Sequence, residues 1–302
     1  MRRPPLISYL TFNRLGNTAI TLPSLLRTYD DFELYLIDNG SRDDTWQFLQ
    51  DTRDPRIKHK KRFEDNVGGA HGLNYALSFR KQDQDWINFE YDVRLHDKNF
   101  VQHFQAYYQA FPEFGGFSAV LYPEQLQLVE SLIIKEPPRQ LIKEDKRVYV
   151  DSIMGFCSYI PYEVMNQLGF YDEVNCLLDI ELNQRIINCL HKRTGYALSI
   201  HCSQTAPGGE CSTCIAYHEP CHSNRKCLKY YGRIITKVTE TVGTHNIEAL
   251  TKKRSHGKLP IKCGSIFSTD VPMSEEDIEA SKRIMALFKQ YTDEFLQTVV
   301  IT

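Results

Sequence analysis

The sequence lacks any apolar stretch that approaches the roughly 20 residues needed to cross a bilayer. Its beginning, MRRPPLISYLTFNR, also lacks the shape of a secretory signal, because the apolar part is short and no small-residue cleavage site follows. Internal repeats and low-complexity tracts are absent as well. From these absences we expect a cytoplasmic globular protein.

Cysteine is missing from the first half of the chain, and all nine cysteines lie between Cys157 and Cys263. An odd number of cysteines without a secretory signal argues against a disulfide framework and favours free thiols or a metal site. The 302 residues, of which 42% are hydrophobic and 25% charged, suffice for one large domain or two modest ones.

Charge is unevenly distributed along the chain. The net charge is only −2, but residues 181–262 contain 13 Lys and Arg against 5 Asp and Glu. A basic segment on an acidic body favours a partner that carries phosphates, although surface lysines also serve solubility alone. Both interpretations stay open at this point.

Short apolar strands alternate with helical segments in the first third of the chain. Strand-like runs cover residues 6–12, 32–38 and 86–90, and this alternation predicts an α/β fold with a mostly parallel sheet. Ligands bind such sheets at the carboxyl ends of the strands. Near the end of the chain, an amphipathic helix is predicted to start after Ser274 as its N-cap.

Six sequence blocks follow this alternation in order between residues 6 and 185. They are TFNR, LIDNGSRDDT, NVGGAHGLN, FEYDVRL, GFYDE and LLDIELNQR. In this order and spacing, the chain resembles the family-two glycosyltransferases of the GT-A fold. The resemblance implies a GT-A-type, Rossmann-like sheet with flanking helices, to which this chain adds a Cys/His-rich insertion and a C-terminal helix.

The resemblance also suggests a division of the chain into three parts. We expect a GT-A domain over residues 1–200, with a nucleotide-binding half at 1–97 and an acceptor half at 98–200. A basic Cys/His-rich segment would follow at 201–263, and a C-terminal helical segment at 264–302.

A divalent cation is the first feature of chemistry that the resemblance implies. Glu90-Tyr91-Asp92 stands where the family has Asp-x-Asp, with Glu in place of the first Asp. Asp92 would be the main ligand of Mn²⁺ or Mg²⁺, and Glu90 would contact the ribose or a metal-bound water. Both cations prefer oxygen ligands and neutralise a departing diphosphate. His201 resembles a late histidine that some members add to the metal shell, although a lone histidine at a strand end is more often a packing residue.

The remaining donor-binding residues implied by the resemblance lie in three loops. The first lines the base pocket, the second recognises the base and ribose, and the third faces the diphosphate-sugar. These residues are Thr11, Asn13, Arg14, Asp38, Asn39, Asn66, Gly68, Gly69 and Asn74. Leu73 stands where many members have Arg, so the charge of that Arg must come from elsewhere or is not needed.

An inverting transfer needs a base close to the acceptor hydroxyl. Asp179 aligns with the Asp of the family's Glu-Asp motif, and Leu178 replaces the Glu. Asp179 is the first candidate for the base and Glu181 the second. Because they lie two residues apart, a helix would direct them to different faces. We also expect Arg185 to pair with one of the nearby acids.

The cysteine cluster lies outside the resemblance. Cys211, Cys214, Cys221 and Cys227 suit a tetrahedral structural Zn²⁺ site, in which His218 or His222 replaces one thiolate in an alternative arrangement. Reduced thiols without metal are the other interpretation. Basic and aromatic residues follow in the same segment: Arg225, Lys226, Lys229, Tyr230, Tyr231 and Arg233.

Basic side chains interleaved with aromatic rings favour nucleic-acid binding. The leading hypothesis is therefore a metal-dependent inverting glycosyltransferase that uses a nucleoside-diphosphate sugar, with a hydroxylated base in DNA as one candidate acceptor. Two alternatives remain. One is a catalytically inactive GT-A-like nucleic-acid-binding protein. The other is a sugar nucleotidyltransferase, for which TFNRLGNT offers little of the expected glycine-rich, basic loop.

Overall fold

The computed structural model describes residues 3–121, 140–150, 155–175, 178–205, 228–243 and 247–300. The six Cys and His residues of the predicted zinc site lie outside these ranges, as do Arg225 and Lys226. Of residues 228–233, only the helical backbone is described.

Ten strands are described. They are β1 (Leu6–Thr11), β2 (Glu33–Asp38), β3 (Ile57–Arg62), β4 (Trp86–Phe89), β5 (Val93–Leu95), β6 (Phe114–Leu121), β7 (Gln140–Lys143), β8 (Lys146–Val150), β9 (Cys157–Ile160) and β10 (Arg193–Gln204).

Nine α-helices are described beside them. They are α1 (Leu15–Leu26), α2 (Thr45–Asp51), α3 (Gly69–Leu77), α4 (Phe100–Ala110), α5 (Tyr162–Leu168), α6 (Asp179–Gln184), α7 (Leu228–Val242), α8 (Ile247–Ser255) and α9 (Glu275–Val300), and a π-helical turn, Arg185–Cys189, continues α6.

The ten described strands form one sheet in the order β3-β2-β1-β4-β9-β6-β10-β8-β7, and β5 pairs with β10. The first four strands are parallel to one another, and β6 and β10 form a second parallel pair. Strands β5, β7, β8 and β9 add antiparallel pairs, which make the sheet mixed. The predicted α/β class is confirmed.

Two apolar clusters lie on the opposite faces of this sheet. One contains side chains of α1 and α4, and the other contains side chains of α3, α5 and α6. Helices on both faces explain why β1, β2 and β4 are almost continuously apolar rather than alternating. Because helices cover both faces of the sheet, a ligand can bind at the polar ends of these strands.

The predicted C-terminal helix is confirmed as α9. Ser274 caps it, because its Oγ accepts a hydrogen bond from the Asp277 amide at 3.1 Å. The apolar stripe of α9 packs against α7 in a small separate cluster that includes Ile284 and Phe288. Phe288 also contacts Gly68, so α9 lies against the loop that precedes α3.

Candidate active site

Three parallel strands end side by side at one edge of the sheet. Thr11 at the end of β1 is in register with Asp38 at the end of β2, and β4 pairs with β1 on the other side. Glu90 and Asp92 directly follow β4. The topology therefore brings the first, second and fourth sequence blocks together at the carboxyl edge, as the spacing predicted.

Three carboxylates form what we call the acid cluster: Glu90, Asp92 and Asp179. Burial raises the pKa of Glu90 well above its usual range, and the negative charges of Asp179 and Asp92 raise it further. The salt bridges found among the described residues include none of these three. Closely placed acids without a salt bridge favour a bound cation.

Asp92 is the most deeply buried member of the acid cluster, with 3% of its surface exposed. Its Oδ2 atom accepts a hydrogen bond of 3.5 Å from the Gln204 amide. Its Oδ1 atom is buried and has no hydrogen-bond partner among the described residues. Burial raises the pKa of Asp92, and the positive charge of Arg14 opposes that rise. An unsatisfied, buried oxygen of this kind suits a metal ligand.

Arg14 is a cationic side chain near the acid cluster, and its positive charge opposes the rise that burial causes in the pKa of Asp92. It is buried, and its guanidinium carbon lies 5.5 Å from the centroid of the Tyr91 ring. It is the last residue of the turn between β1 and α1, so the predicted base-pocket segment also contributes positive charge next to Asp92.

Asp179 begins α6 and is half-buried. Its Oδ1 atom accepts a long hydrogen bond of 3.4 Å from the Tyr171 hydroxyl. Burial raises the pKa of Asp179 to about 6, and the Tyr171 hydrogen bond partly opposes this rise. A carboxylate with a pKa just below neutral is suited to accept a proton in catalysis.

Glu181 lies on a different side of α6. Its carboxylate forms an ion pair with Arg185 at 2.8 Å, and Arg254 lies 3.4 Å from its other oxygen. The predicted pairing of Arg185 with an acid is confirmed. The structure does not bring Glu181 to the acid cluster, because two buried arginines hold its side chain.

Asp38 has two oxygens with different environments. Its Oδ1 atom accepts hydrogen bonds from the amides of Gly40 at 3.0 Å and Ser41 at 2.8 Å, which closes a turn. Its Oδ2 atom is buried and has no hydrogen-bond partner in the described ranges. Burial raises the pKa of Asp38, and Arg62 lies 3.9 Å from Oδ1. The turn therefore leaves one oxygen for a ligand.

Asn39, Asn66, Val67 and Gly68 form what we call the amide network. Asn39 donates to Asn66 Oδ1 at 2.9 Å and accepts from the Val67 amide at 3.0 Å. Asn66 Oδ1 also accepts from the Gly68 amide, and its Nδ2 donates to Thr292 on α9. These amides are bonded within the protein, so they shape the loop rather than offer unbonded groups to a ligand.

The glycines of this loop allow close packing. Gly68 has φ +87°, and a Cβ there would lie 2.5 Å from the Phe288 ring. A Cβ on Gly69 would lie 2.8 Å from Leu178, which stands directly before Asp179. These two glycines therefore let α9 and the start of α6 approach the loop.

Asn13 and Asn74, both predicted to bind the donor, are also bonded within the protein. Asn13 has φ 49°, and its Oδ1 accepts from the Arg42 amide at 2.6 Å. Asn74 is fully buried and donates to Glu173 at 2.9 Å while it accepts from the Tyr171 amide. The structure gives both side chains a structural role in joining segments.

Gln204 is the β10 side chain that reaches Asp92, whereas His201 Nε2 bonds the Leu198 carbonyl at 2.9 Å. The sequence offered no signal for Gln204, because it lies 112 residues from Asp92 and meets it only through the pairing of β10 with β5. The same holds for Tyr171, because the GFYDE block contributes to the resemblance but gives no signal that the Tyr171 hydroxyl lies beside Asp179.

Residues 10–90 match the family model described as glycosyl transferase family 2. The match covers the first three sequence blocks and only the first two residues of the fourth, so it contains Asp38 and Glu90 but stops before Asp92.

Two solved structures are similar in fold to this chain and support a GT-A-type architecture. The mannosyltransferase PcManGT from Pyrobaculum calidifontis, in complex with GDP-Man and Mn²⁺, is 14% identical, and the alignment covers 100% of this chain and 87% of that one with a TM-score of 0.54. TarS from S. aureus is 13% identical, with 98% of this chain and 55% of TarS covered and a TM-score of 0.50.

The family match and this fold together indicate a glycosyltransferase, and the predicted resemblance is confirmed. No curated protein matches the chain. Among the described helices, none has the length and apolar content that a bilayer span requires.

Proposed function

We propose that this glycosyltransferase is metal-dependent and inverting, and that it moves a sugar from a nucleoside-diphosphate donor to a hydroxyl acceptor. The observation that carries the proposal is the acid cluster: three carboxylates at the carboxyl edge of the sheet, without a salt bridge among the described residues. Burying such charges together is unfavourable unless a ligand compensates them.

Asp92 and Glu90 would hold the cation, Mn²⁺ or Mg²⁺. The fit rests on oxygen donors and on the buried Oδ1 atom of Asp92, which has no hydrogen-bond partner in the described part of the chain. When bound, a divalent cation neutralises charge on the departing diphosphate. PcManGT, which shares the fold, was solved with GDP-Man and Mn²⁺. A contribution of His201 to this shell stays a prediction.

The donor's base and ribose would lie between the ends of β1 and β2. Asp38 offers its Oδ2 atom there, and Thr11 and Arg14 line the neighbouring turn. The amide network and the two glycines behind it would fix the shape of this pocket rather than bind the donor through unbonded amides. Pre-formed shape of this kind lowers the cost of ordering a ligand.

Asp179 would remove the proton from the acceptor hydroxyl. Its pKa of about 6 leaves it mostly ionised at pH 7 and still basic enough to accept a proton. Tyr171 donates to one carboxylate oxygen and thereby orients the group. Glu181, the second candidate base, would need to leave two buried arginines to take this role.

The zinc staple and the DNA acceptor stay predictions, because the Cys and His residues, Arg225 and Lys226 lie outside the described ranges, and the side chains of Lys229 and Arg233 are not described. Metal analysis of the purified protein tests the first prediction, with one Zn²⁺ per chain expected. Binding to duplex or single-stranded DNA at moderate salt tests the second, and activity on neutral sugar acceptors only would contradict it.

Turnover of a panel of UDP- and GDP-sugars, with and without Mn²⁺, tests the proposed reaction. We expect Mn²⁺-dependent release of the nucleoside diphosphate from one donor, and NMR of the product should show an inverted anomeric centre. Nucleotide binding without turnover would instead support the inactive binding protein. Formation of a nucleotide-sugar from a triphosphate and a sugar phosphate would support the nucleotidyltransferase.

A further inference from the structure

A buried ion network joins the C-terminal part of the chain to the helix that begins with Asp179. Its members are Asp172, Glu181, Arg185 and Arg254, each at least nine-tenths buried. Arg254 comes from α8, about 70 residues after Glu181, in the segment that the sequence marks only as basic. Nothing in the six sequence blocks assigns it a function.

Arg254 contacts both sides of the segment that carries Asp179. Its Nη2 atom forms an ion pair with Asp172, which lies before α6. Its Nε atom lies 3.4 Å from Glu181 Oε1, which lies in the first turn of α6. The planar guanidinium suits such simultaneous contacts, and a lysine ammonium does not reproduce them.

The two acids held by Arg254 are close in sequence to the two groups that meet in the active site. Asp172 directly follows Tyr171, whose hydroxyl donates to Asp179 at 3.4 Å. Glu181 follows Asp179 by two residues on the same short helix. A shift of either acid would therefore move Tyr171 or Asp179.

The ion network contains two carboxylates and two arginines, so its charges cancel, in contrast to the acid cluster. Asp172 and Glu181 face Arg185 and Arg254, and Arg185 additionally donates to the carbonyl groups of Leu168 and Phe170. Asp172, Glu181 and the Cys263 thiol lie close enough together to ligate a metal. Two arginines already neutralise the carboxylates, so a cation there would be repelled.

We propose that Arg254 is a positioning residue for sugar transfer: it fixes Asp172 and Glu181 so that Asp179 faces Glu90 and the acceptor. The inference rests on the proposed role of Asp179 as the base. It predicts that damage to Arg254 lowers turnover without weakening donor binding, because the donor-binding loops lie on other elements.

The test compares Arg254→Lys with Lys253→Gln, an exposed neighbour on the same helix. The measurement is Mn²⁺-dependent release of nucleoside diphosphate from the best UDP- or GDP-sugar of the panel. For Arg254→Lys we expect kcat to fall roughly tenfold while KM for the donor stays within about twofold, since a small misplacement of a reacting group costs about this much or more. Lys253→Gln should match the wild type.

A second variant covers the case in which Arg254→Lys does not fold. Asp172→Asn keeps Arg254 and Glu181 in place but weakens one arm of the network, and it should also lower kcat with little change in KM. Unchanged kcat in a folded Arg254→Lys or Asp172→Asn protein would overturn the inference. A rise in the donor KM as large as the fall in kcat would also overturn the inference, because the defect would then extend to the donor site.

Asp179→Asn separates this inference from the proposed function. If Asp179→Asn retains full turnover, the base assignment itself fails. If Asp179→Asn is inactive and Arg254→Lys behaves as the wild type, only the positioning role fails.

Discussion

The amide network and the acid cluster lie at the same edge of the sheet but satisfy their polar groups in opposite ways. In the amide network, Asn39 and Asn66 bond each other and the backbone of residues 67 and 68. In the acid cluster, Asp92 keeps a buried oxygen without a hydrogen-bond partner among the described residues. Satisfied groups set a shape, and unsatisfied groups indicate where a ligand completes the structure.

Among the substitutions in the acid cluster and the amide network, Asp92→Asn should have the largest effect on turnover. We expect Mn²⁺-dependent turnover to fall about 100-fold or more, because the main cation ligand loses its charge. The unliganded protein should gain stability by about 1 kcal/mol, because a buried carboxylate without full compensation becomes neutral. Turnover assays and denaturant unfolding in EDTA check both parts.

The sign of this stability change follows from the pKa of Asp92. Its pKa is raised in the folded protein, so the folded state holds the proton more tightly than the unfolded state does. The wild type should therefore gain stability as the pH falls through the raised pKa toward the ordinary carboxyl range, and Asp92→Asn should lose that part of the pH dependence. A less stable Asp92→Asn protein would show that Asp92 has a structural role instead.

The pH dependence of turnover tests whether the acid cluster also supplies the base. Asp179 acts in its ionised form, so kcat should rise as the pH increases through about 6 and level off above that value. In the Asp179→Asn variant, kcat should be lower by about 100-fold or more, and the rise of kcat through pH 6 should disappear. A limb near the ordinary carboxyl pKa of about 4 would contradict the burial of Asp179.

Replacing Asn39 with Ala should affect stability much more than metal binding. The Val67 amide and Asn66 would lose partners in a buried place, which costs about 2 kcal/mol. The loss should be the same with and without Mn²⁺, in contrast to Asp92→Asn. A stability loss that depends on Mn²⁺ would place Asn39 among the ligand-binding groups.

The smallest effect is expected at the contact between the amide network and α9. Thr292→Val removes the hydroxyl that accepts from Asn66 at 3.0 Å, and it should cost about 1 kcal/mol. Thr292→Ser keeps the hydroxyl and serves as the matched control. Equal stability of the Val and Ser variants would show that this contact does not hold α9 on the loop.

The sequence predicted the carboxyl edge well because parallel strands place their ends together. Periodicity predicted β1, β2 and β4, and Asp38 at the end of β2 lies at the same edge of the sheet as Glu90 and Asp92, which follow β4. The N-cap of α9 was also a local feature of the sequence, and Ser274 caps the helix as predicted.

Contacts between distant segments could not be predicted in the same way. Gln204 reaches Asp92, and Arg254 reaches Asp172 and Glu181, through packing that no local pattern encodes. Glu181 and Asp179 have similar surroundings in sequence, and only the buried arginines distinguish the structural acid from the candidate base. The roles of Asn13 and Asn74 likewise depend on partners in other segments.

Stabilisation by nucleotide and cation together tests the central claim most directly. Thermal unfolding of the wild type and of Asp92→Asn should be measured with UDP or GDP, with and without Mn²⁺. We predict that one nucleotide raises the melting temperature of the wild type further when Mn²⁺ is present, and that Asp92→Asn loses only this cation-dependent part. The same Mn²⁺ response in both proteins would contradict the assignment of the acid cluster as the cation site.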